Sequence, residues 1–488
     1  MSNADTAHID VMIVGAGLSG IGAACHLSQK CPNRSYALLE RRASLGGTWD
    51  LFRYPGVRSD SDMHTLGYAF KPWLAKEAIA DGPAILSYLK ETARSYGVDE
   101  KIRYNHHLLS ASWDSAQSRW TLAIEVESNR RVTLTCNFLL MCAGYYDYGH
   151  GHTPDFPGMD GFNGTVVHPQ HWPQDLDYAD KKVVVIGSGA TAVTLVPAMA
   201  KTAARVTMLQ RSPTYIAAMP RVDRFALALR AVLPESVAYA LIRRKNIGFQ
   251  QFIYGLSQRK PAWMKRQLLN RARKALGKQV DVDTHFSPSY NPWVQRLCVA
   301  PDGDFFQVIK SGDAHVVTDT IESITPGGIT LNSGQHLEAD IIITATGLKL
   351  NVLGDVALSV DGTAVDLGKT YAYKGLAYAG VPNLCSVFGY INASWTLRSD
   401  LICEYVCRLL KFMDEHQKRR CVPRLSKADG EMSERPFVDG FTPGYLTRIM
   451  NQLPNQGDRA PWLNTQNYQH DVEQMSRAPI EDGVMCFD

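Results

Sequence analysis

The sequence lacks the features that mark several classes of protein. Its 488 residues contain no apolar run near the roughly 18–20 residues of a membrane-spanning helix. A formal net charge of +3 is too small to favour nucleic acid as a partner. The 10 cysteines include no Cys-x-x-Cys pair, which disfavours a redox dithiol and favours buried thiols in a reducing compartment. Repeats, low-complexity segments and a signal-peptide core are absent too, so we expect a cytoplasmic globular protein of two or three domains.

A glycine-rich loop follows the first apolar run, Val11–Val14, which predicts a buried parallel strand. A helical pattern comes next, and then a second strand that ends at Glu40, where an acid can bind a ribose hydroxyl. In such a loop the first glycine permits a tight turn, the second admits a pyrophosphate and the third allows close packing. The residues that we expect to bind a dinucleotide here are Gly15, Gly17, Ser19, Gly20 and Glu40.

A second loop of the same type follows the apolar run Val183–Ile186. Its next strand ends at Arg211 and carries no acid there, and an arginine can pair with a 2′-phosphate that an acid would repel. This difference assigns FAD to the first loop and NADPH to the second. The expected NADPH contacts are Gly187, Ser188, Gly189, Ala190, Thr191, Ala192, Val193, Arg211 and Ser212.

Two such βαβ units predict an α/β fold with two Rossmann-like dinucleotide-binding domains. We expect the FAD domain to comprise residues 1–147 and 336–488, the second part ending in an extended tail, from about residue 420, that wraps the surface. The NADPH domain would span residues 148–335 and carry a helical insertion at about 223–280. A β-meander between Ile102 and Met141 would return the chain to the first sheet.

Two further segments resemble the signatures of the Baeyer–Villiger monooxygenases. One has the pattern Phe162-x-Gly164-x-x-x-His168-x-x-x-Trp172-Pro173, and the other runs from Gly46 to Asp60. Within that family, Trp49–Gly56 and Tyr290–Trp293 are most similar to the ethionamide-activating type. The resemblance implies further cofactor contacts at Thr48, Trp49, Asp50, Leu51, Arg58, Ser59, Asp60 and Leu108.

The resemblance also implies a reaction. NADPH reduces FAD, dioxygen gives a C4a-peroxyflavin, and one oxygen atom is inserted into a ketone to give an ester or lactone, or is added to the sulfur of a sulfide or thioamide. A peroxyanion needs a permanent cation beside it, and the matching arginine is Arg296, held by Asp60. Many members carry a lysine just before that arginine. Gln295 stands there in this chain, which leaves more of the phosphate recognition to Arg211.

Two features have simpler interpretations than a catalytic one. His168 falls in the linker between the nucleotide domains, which favours a positioning role over proton transfer. The helical insertion has no Asp or Glu between Ser236 and Val280. Such a basic stretch is usually a solvated face, although its interleaved aromatic residues leave an anionic membrane surface as an alternative.

Other functions stay open from the residues alone. A flavin monooxygenase restricted to nitrogen or sulfur would share both loops but would not need Arg296. A disulfide or ferredoxin reductase would share the two-dinucleotide architecture but would need a dithiol or a partner surface. A nucleotide sensor without catalysis would bind the same cofactors. We expect a small-molecule ketone, sulfide or thioamide and O2 as partners, and no metal.

Overall fold

The computed structural model describes residues 7–127, 129–295, 297–441 and 443–488 of the chain. The helices, in chain order, are α1 (Leu18–Lys30), α2 (Thr48–Leu51), α3 (Met63–Leu66), α4 (Gly82–Ser95), α5 (Ala190–Met199), α6 (Arg224–Val232), α7 (Glu235–Arg259), α8 (Pro261–Leu276), α9 (Val282–Phe286), α10 (Asp304–Ser311), α11 (Trp395–Glu415), α12 (Gly444–Thr447) and α13 (Tyr468–Asp471).

The strands, in chain order, are β1 (His8–Val14), β2 (Tyr36–Leu39), β3 (Ile102–Arg103), β4 (His106–Asp114), β5 (Arg119–Val126), β6 (Arg130–Met141), β7 (Tyr146–Gly151), β8 (Thr165–Val167), β9 (Lys182–Ile186), β10 (Arg205–Gln210), β11 (Ile216–Met219), β12 (Cys298–Pro301), β13 (Ala314–Thr318), β14 (Ile321–Thr325), β15 (Gly328–Leu331), β16 (His336–Glu338), β17 (Ile341–Thr344), β18 (Leu348–Leu350), β19 (Ala357–Val360), β20 (Thr363–Ala364), β21 (Ala372–Tyr373), β22 (Ala377–Tyr378), β23 (Leu384–Ser386), β24 (Cys421–Pro423), β25 (Arg435–Pro436), β26 (Asn455–Gln456) and β27 (Met485–Phe487).

The first sheet is built on β1, whose apolar run is buried because helices and strands cover both faces. Its order is β20-β19-β4-β5-β6-β1-β2-β3, with β23 beside the carboxyl end of β6. Strands β1, β2, β3, β6 and β23 run parallel, and β4, β5 and β6 form the antiparallel meander that the sequence predicts. The predicted return of the chain to β1 is therefore confirmed.

The second sheet is wholly parallel, in the order β13-β10-β9-β17-β8. Strands β9 and β10, joined by α5, form the second predicted βαβ unit. Strands β14, β15 and β16 form a separate antiparallel meander between β13 and β17. Both sheets thus present a glycine loop at the carboxyl end of one strand, and the predicted α/β class with two dinucleotide-binding units is confirmed.

The chain crosses between the two sheets at two adjacent points. Strands β7 and β18 lie antiparallel to each other there and form a two-stranded link. Strand β17 precedes the second crossing and pairs with β8 and β9, so it belongs to the second sheet. The predicted domain boundary at residue 335 placed β17 in the FAD domain, which contains the first sheet. An apolar run reveals a buried strand but not its sheet, and we now propose a boundary near residue 345.

The helical insertion folds back onto the first unit. Side chains of α7 hydrogen-bond to the segment that contains α3 and so hold the insertion against the FAD side of the molecule. The bonds run from Tyr239 Oη to the Tyr68 carbonyl (2.9 Å), from Arg243 Nη1 to the Gly67 carbonyl (2.8 Å), and from Asn246 Nδ2 (2.9 Å) and Gln250 Nε2 (2.8 Å) to the Asp62 carboxylate.

The segment from residue 420 to the end has little regular structure, yet it is more than a surface tail. Trp462 is wholly buried, and Phe437, Val438 and Phe441 enter a small core of their own. The prolines and polar residues of this segment predict its irregular backbone. The apolar residues that anchor it are too widely spaced to form a recognisable pattern in the sequence. Among the described residues, no helix is both long and apolar enough to cross a bilayer.

Candidate active site

The first glycine loop contains glycines of two kinds. Gly15 has a φ of +102°, and a Cβ there would lie 2.6 Å from the Cys142 carbonyl oxygen. A Cβ on Gly20 would collide with the carbonyl of Gly15. A Cβ on Gly17, in contrast, would meet nothing closer than 3.5 Å, and its open side faces a cavity. The fold therefore requires the two outer glycines, whereas the middle one leaves room for a ligand.

Glu40 is held at the end of β2 beside this loop. Its carboxylate accepts hydrogen bonds from the backbone N–H groups of Ala16 (2.8 Å) and Arg42 (2.9 Å). Burial raises the pKa of Glu40, while these two hydrogen bonds oppose the rise. Each carboxylate oxygen can accept a second bond, so ribose hydroxyls can still bind where Glu40 lines the cavity.

The second loop repeats the arrangement. Gly187 has a φ of +134°, and a Cβ there would collide with the Ala345 carbonyl, whereas a Cβ on Gly189 would meet nothing within 4 Å. Ala192 is fully buried where the first loop has its third glycine. Ser188 Oγ donates to the Ser212 carbonyl (3.1 Å) and lies 2.8 Å from Thr214 Oγ1, which ties the loop to the end of β10.

Both loops open on one cavity of about 470 Å3. The residues expected to contact cofactor and found in its wall are Gly15, Gly17, Ser19, Glu40, Thr48, Trp49, Arg58, Ser59, Asp60, Leu108, Gly189, Ala190 and Thr191. Residues far apart in the sequence are thus brought together where the carboxyl ends of the parallel strands meet, which is where open α/β sheets bind ligands.

The other expected contacts lie outside the cavity wall. Gly20 and Gly187 pack against neighbouring backbone, Ala192 and Val193 are buried in α5, and Ser188 and Ser212 brace the second loop. Arg211 is exposed at the end of β10. Leu51 ends the short helix α2, and Asp50 beside it is buried, with its carboxylate 2.8 Å from Arg42 Nη2 and 2.6 Å from Arg53 Nη2. That pairing indicates that Asp50 holds the loop in shape and leaves ligand contact to its neighbours.

Asp60 and Arg296 are the two residues with an expected catalytic role. Asp60 lines the cavity, two residues after Arg58. The Arg58 guanidinium lies against the Asp304 carboxylate at the start of α10, so this segment is tied to the second unit. Arg296 lies outside the described residues, and its role stays a prediction.

A group of aromatic side chains also lines the cavity. Tyr145 stacks on Trp395 at 5.2 Å between ring centroids and lies 4.4 Å from Tyr146. Tyr390, Phe441 and Tyr445 complete this wall. Tyr145 and Tyr146 follow the carboxyl end of β6, a position that predicts ligand contact, whereas no sequence signal marks Phe441 or Tyr445. Tyr290 and Trp293 are absent from the cavity wall that the described residues form.

The Phe162–Pro173 segment holds the two-stranded link. His168 Nε2 lies 3.1 Å from the Gly347 carbonyl, and His168 Nδ1 accepts from the Gln170 N–H (3.2 Å). Gln170 Nε2 donates to the Asp147 carbonyl (2.7 Å). The segment therefore hydrogen-bonds both to β7 and to the residue just before β18. The expected positioning role of His168 agrees with these contacts.

Two dinucleotide loops that share one cavity define a two-cofactor oxidoreductase. Comparison with known proteins agrees. A model of the flavin-binding monooxygenase-like family matches residues 78–280, and one of the NAD(P)-binding Rossmann-like domain matches residues 13–75. The FAD-containing monooxygenase EthA of Mycobacterium tuberculosis is 52% identical over 483 residues, which cover 99% of this chain and 98% of that protein. The probable FAD-binding monooxygenase AlmA of Acinetobacter baylyi is 49% identical over 99% of this chain and 96% of its own length.

Solved structures share the fold at low identity. A steroid monooxygenase bound to NADP has a TM-score of 0.73 at 22% identity, with 85% of this chain and 88% of that one covered. A cyclohexanone monooxygenase has a TM-score of 0.71 at 18% identity, with 87% and 91% covered. The chain belongs to the FAD-containing monooxygenases of the flavin-binding monooxygenase-like family. The expected enzyme class, an NADPH-dependent flavin monooxygenase, and its cofactors, FAD and NADPH, are thereby confirmed.

Proposed function

We propose that this enzyme is a Baeyer–Villiger monooxygenase. It would insert one oxygen atom from O2 into ketones to give esters or lactones, and would also oxygenate sulfides or thioamides at sulfur. The observation that carries the proposal is the single cavity lined by both glycine loops and by Asp60. The names of the steroid and cyclohexanone monooxygenases that share the fold support a ketone substrate.

FAD would lie along the first loop. Its pyrophosphate can approach Gly17, which has an open side, and can accept from the free N–H groups at the start of α1, whose first turn carries no acid. Glu40 would bind the ribose, and the segment Thr48–Trp49 would cover the cofactor from the other side of the cavity. Bound FAD would supply the redox chemistry that couples NADPH oxidation to oxygen transfer.

NADPH would lie along the second loop in the same manner. Gly189 is open, and the first turn of α5 likewise carries no acid. Arg211 and Ser212 are exposed beyond the end of β10, where a 2′-phosphate can reach them. Since Gln295 brings no positive charge, Arg211 would be the main residue that distinguishes NADPH from NADH.

The remaining residues would prepare the site for oxygen transfer. The aromatic wall would keep water from the reacting atoms once cofactors and substrate fill the cavity, which would strengthen charge interactions there. Arg296 would provide a cation that cannot lose its proton, and Asp60 would orient its planar guanidinium. Through Asp304, Arg58 ties the segment that contains Asp60 to the second unit.

The test measures product formed per NADPH consumed, with phenyl ketones, sulfides and thioamides as substrates. We expect esters from the ketones. Arg296→Ala should bind FAD and still consume NADPH, but should lose about 10²–10³-fold in the rate of ester formation and release hydrogen peroxide. Arg296→Lys should recover little, because lysine lacks the planar fork. Arg130→Ala, on an exposed hairpin, serves as the control.

Two outcomes would redirect the proposal. Sulfoxides without any ester from the unaltered enzyme would favour a monooxygenase restricted to nitrogen and sulfur. Ester formation by Arg296→Ala at near wild-type coupling would remove Arg296 from the mechanism.

A further inference from the structure

Among the described residues, the helical insertion carries most of the large apolar side chains that are well exposed. Of the eleven large apolar side chains that the described residues leave well exposed, seven lie in or next to α6, α7 and α8. They are Phe225, Val232, Val237, Leu241, Phe249, Phe252 and Trp263, with exposed fractions from 41% to 75%. Scattered exposed residues need no explanation, but such a concentration in about forty residues indicates an interaction surface.

The same helices carry basic side chains without acidic partners. The exceptions are Lys245, which pairs with Asp223 at the start of α6, and Arg273, which pairs with Asp283 in α9. Within the described part of the chain, no ion pair or hydrogen bond reaches the exposed side chains of Arg244, Arg259, Lys260, Arg266, Arg271 and Lys274. No Asp or Glu occurs between Ser236 and Val280, and Glu235 is the acid at the start of α7. The segment from Ser236 to Val280 therefore carries a large excess of positive charge.

We call the exposed apolar and basic side chains of α6, α7 and α8 together the basic–aromatic face. Leu241, Lys245, Phe249 and Phe252 are exposed and recur every three or four residues along α7, so they form one stripe beside the buried Ile242 and Asn246. Lys245 Nζ lies 4.9 Å from the centre of the Phe225 ring, which joins α6 to this stripe.

The face continues onto α8. Trp263, Arg266, Asn270 and Lys274 are exposed at spacings of three and four, on the side opposite the buried Met264, Leu268 and Ala272. Arg259 and Lys260 connect the two helices at the point where they meet.

We propose that the basic–aromatic face binds the surface of an anionic lipid bilayer, with the helices lying flat. Phe225, Phe249, Phe252 and Trp263 would enter the boundary between headgroups and acyl chains, and the arginines and lysines would meet the lipid phosphates. The positive charge of the basic–aromatic face favours an anionic lipid surface over the other possible partners. A second copy of the chain would bring one positive face against another, and Val237 and Leu241 could not stack on nucleic-acid bases.

Vesicle flotation with the full-length FAD-loaded enzyme tests the proposal. We expect binding to vesicles of phosphatidylcholine mixed with phosphatidylglycerol, weak binding to phosphatidylcholine alone, and release by high salt. Each basic residue near an anionic surface contributes about fivefold to partitioning, so Arg259→Gln with Lys260→Gln should weaken binding about 25-fold. Phe249→Ser with Phe252→Ser should also weaken it.

The matched control is Arg130→Gln with Arg131→Gln, two exposed arginines on the β5–β6 hairpin. It should bind vesicles like the unaltered enzyme. The flavin spectrum and the rate of NADPH oxidation without vesicles should stay unchanged in all variants, which shows that they fold. The proposal is overturned by absent or charge-independent vesicle binding, by an equal loss in the control, or by self-association that the phenylalanine variant abolishes.

Discussion

At the scale of single residues, the two loops contain glycines that the fold requires and glycines that leave room for a cofactor. Gly15 and Gly187 adopt a backbone conformation that favours glycine and lie against neighbouring carbonyls. Gly17 and Gly189 have ordinary backbone conformations; a Cβ on Gly17 would make only ordinary contact with Gly47, at 3.5 Å, and one on Gly189 would meet nothing within 4 Å. A side chain at either of the latter positions therefore tests for a ligand with little disturbance of the fold.

We predict that Gly17→Val yields protein without FAD and that Gly189→Val keeps FAD but raises the KM for NADPH. Overpacking against a bound pyrophosphate costs about 1–3 kcal/mol, or roughly 5–150-fold in affinity. Flavin absorbance of the purified protein and NADPH titration measure the two effects. The control is Gly255→Ala in α7, where a Cβ meets nothing within 4 Å. Full FAD occupancy in Gly17→Val would show that the first loop does not hold FAD.

Arg211 is the second residue-scale test. We predict that Arg211→Ala raises the KM for NADPH by about 10–150-fold and leaves that for NADH nearly unchanged, because a charge-assisted contact contributes about 1.5–3 kcal/mol. Steady-state kinetics with both nucleotides measure this. Arg205→Ala, exposed at the other end of β10, is the control. Equal losses for the two nucleotides would mean that Arg211 does not recognise the 2′-phosphate.

At the scale of elements, the link between the two sheets is the part of the fold that controls their relative position. His168 lies between β7 and Gly347 and bonds to both its own segment and the returning chain. A Cβ on Gly151 would collide with its ring, so the histidine packs directly on β7. The neutral ring fits this role, because Nε2 donates to a carbonyl while Nδ1 accepts from an N–H.

We predict that His168→Ala lowers stability by about 0.5–1.5 kcal/mol at neutral pH and by less in acid. Burial lowers the pKa of His168 below its usual 6.5, so the unfolded chain takes up the proton first as the pH falls. The contribution of His168 is therefore complete above pH 6.5 and lost below it. Thermal unfolding of both proteins on either side of that pH checks this. The control is His150→Ala on β7, where the histidine side chain is 78% exposed. A stability difference between His168→Ala and the unaltered protein that does not change with pH would contradict the prediction.

At the scale of the whole molecule, the C-terminal segment supports the cavity from behind. The Arg398 side chain is fully buried in α11, and its Nε lies 3.2 Å from the Asp471 carboxylate of α13. Tyr390, which lines the cavity, donates to the same carboxylate at 2.8 Å. Burial and the Asp471 charge raise the pKa of Tyr390, which keeps its hydroxyl protonated as the donor.

We predict that Asp471→Asn destabilises the protein by about 3–5 kcal/mol, because it leaves the Arg398 charge buried without compensation. Thermal unfolding followed by flavin fluorescence should show earlier cofactor release. Glu473→Gln breaks an exposed ion pair with Arg477 in the same segment and should change stability by about 0.5 kcal/mol or less. Similar effects from the two substitutions would show that Asp471 is not a buried anchor.

The local sequence by itself determined both βαβ units, the two glycine loops and the position of Glu40 at the end of β2. These features depend on strand, glycine and helix in immediate succession, and such short-range order is legible in a single chain. The two long signatures determined the family for the same reason, since each is one continuous segment.

Only the tertiary structure decided to which sheet β17 belongs, where α7 packs and which residues line the cavity together. An apolar strand carries the same pattern in either sheet. The anchors of α7 on Asp62, the pairing of Asp50 with two arginines, and the placing of Phe441 beside Tyr145 join residues that lie far apart or have several possible partners. Those contacts follow from how the two units and the C-terminal segment pack, and no local pattern encodes that packing.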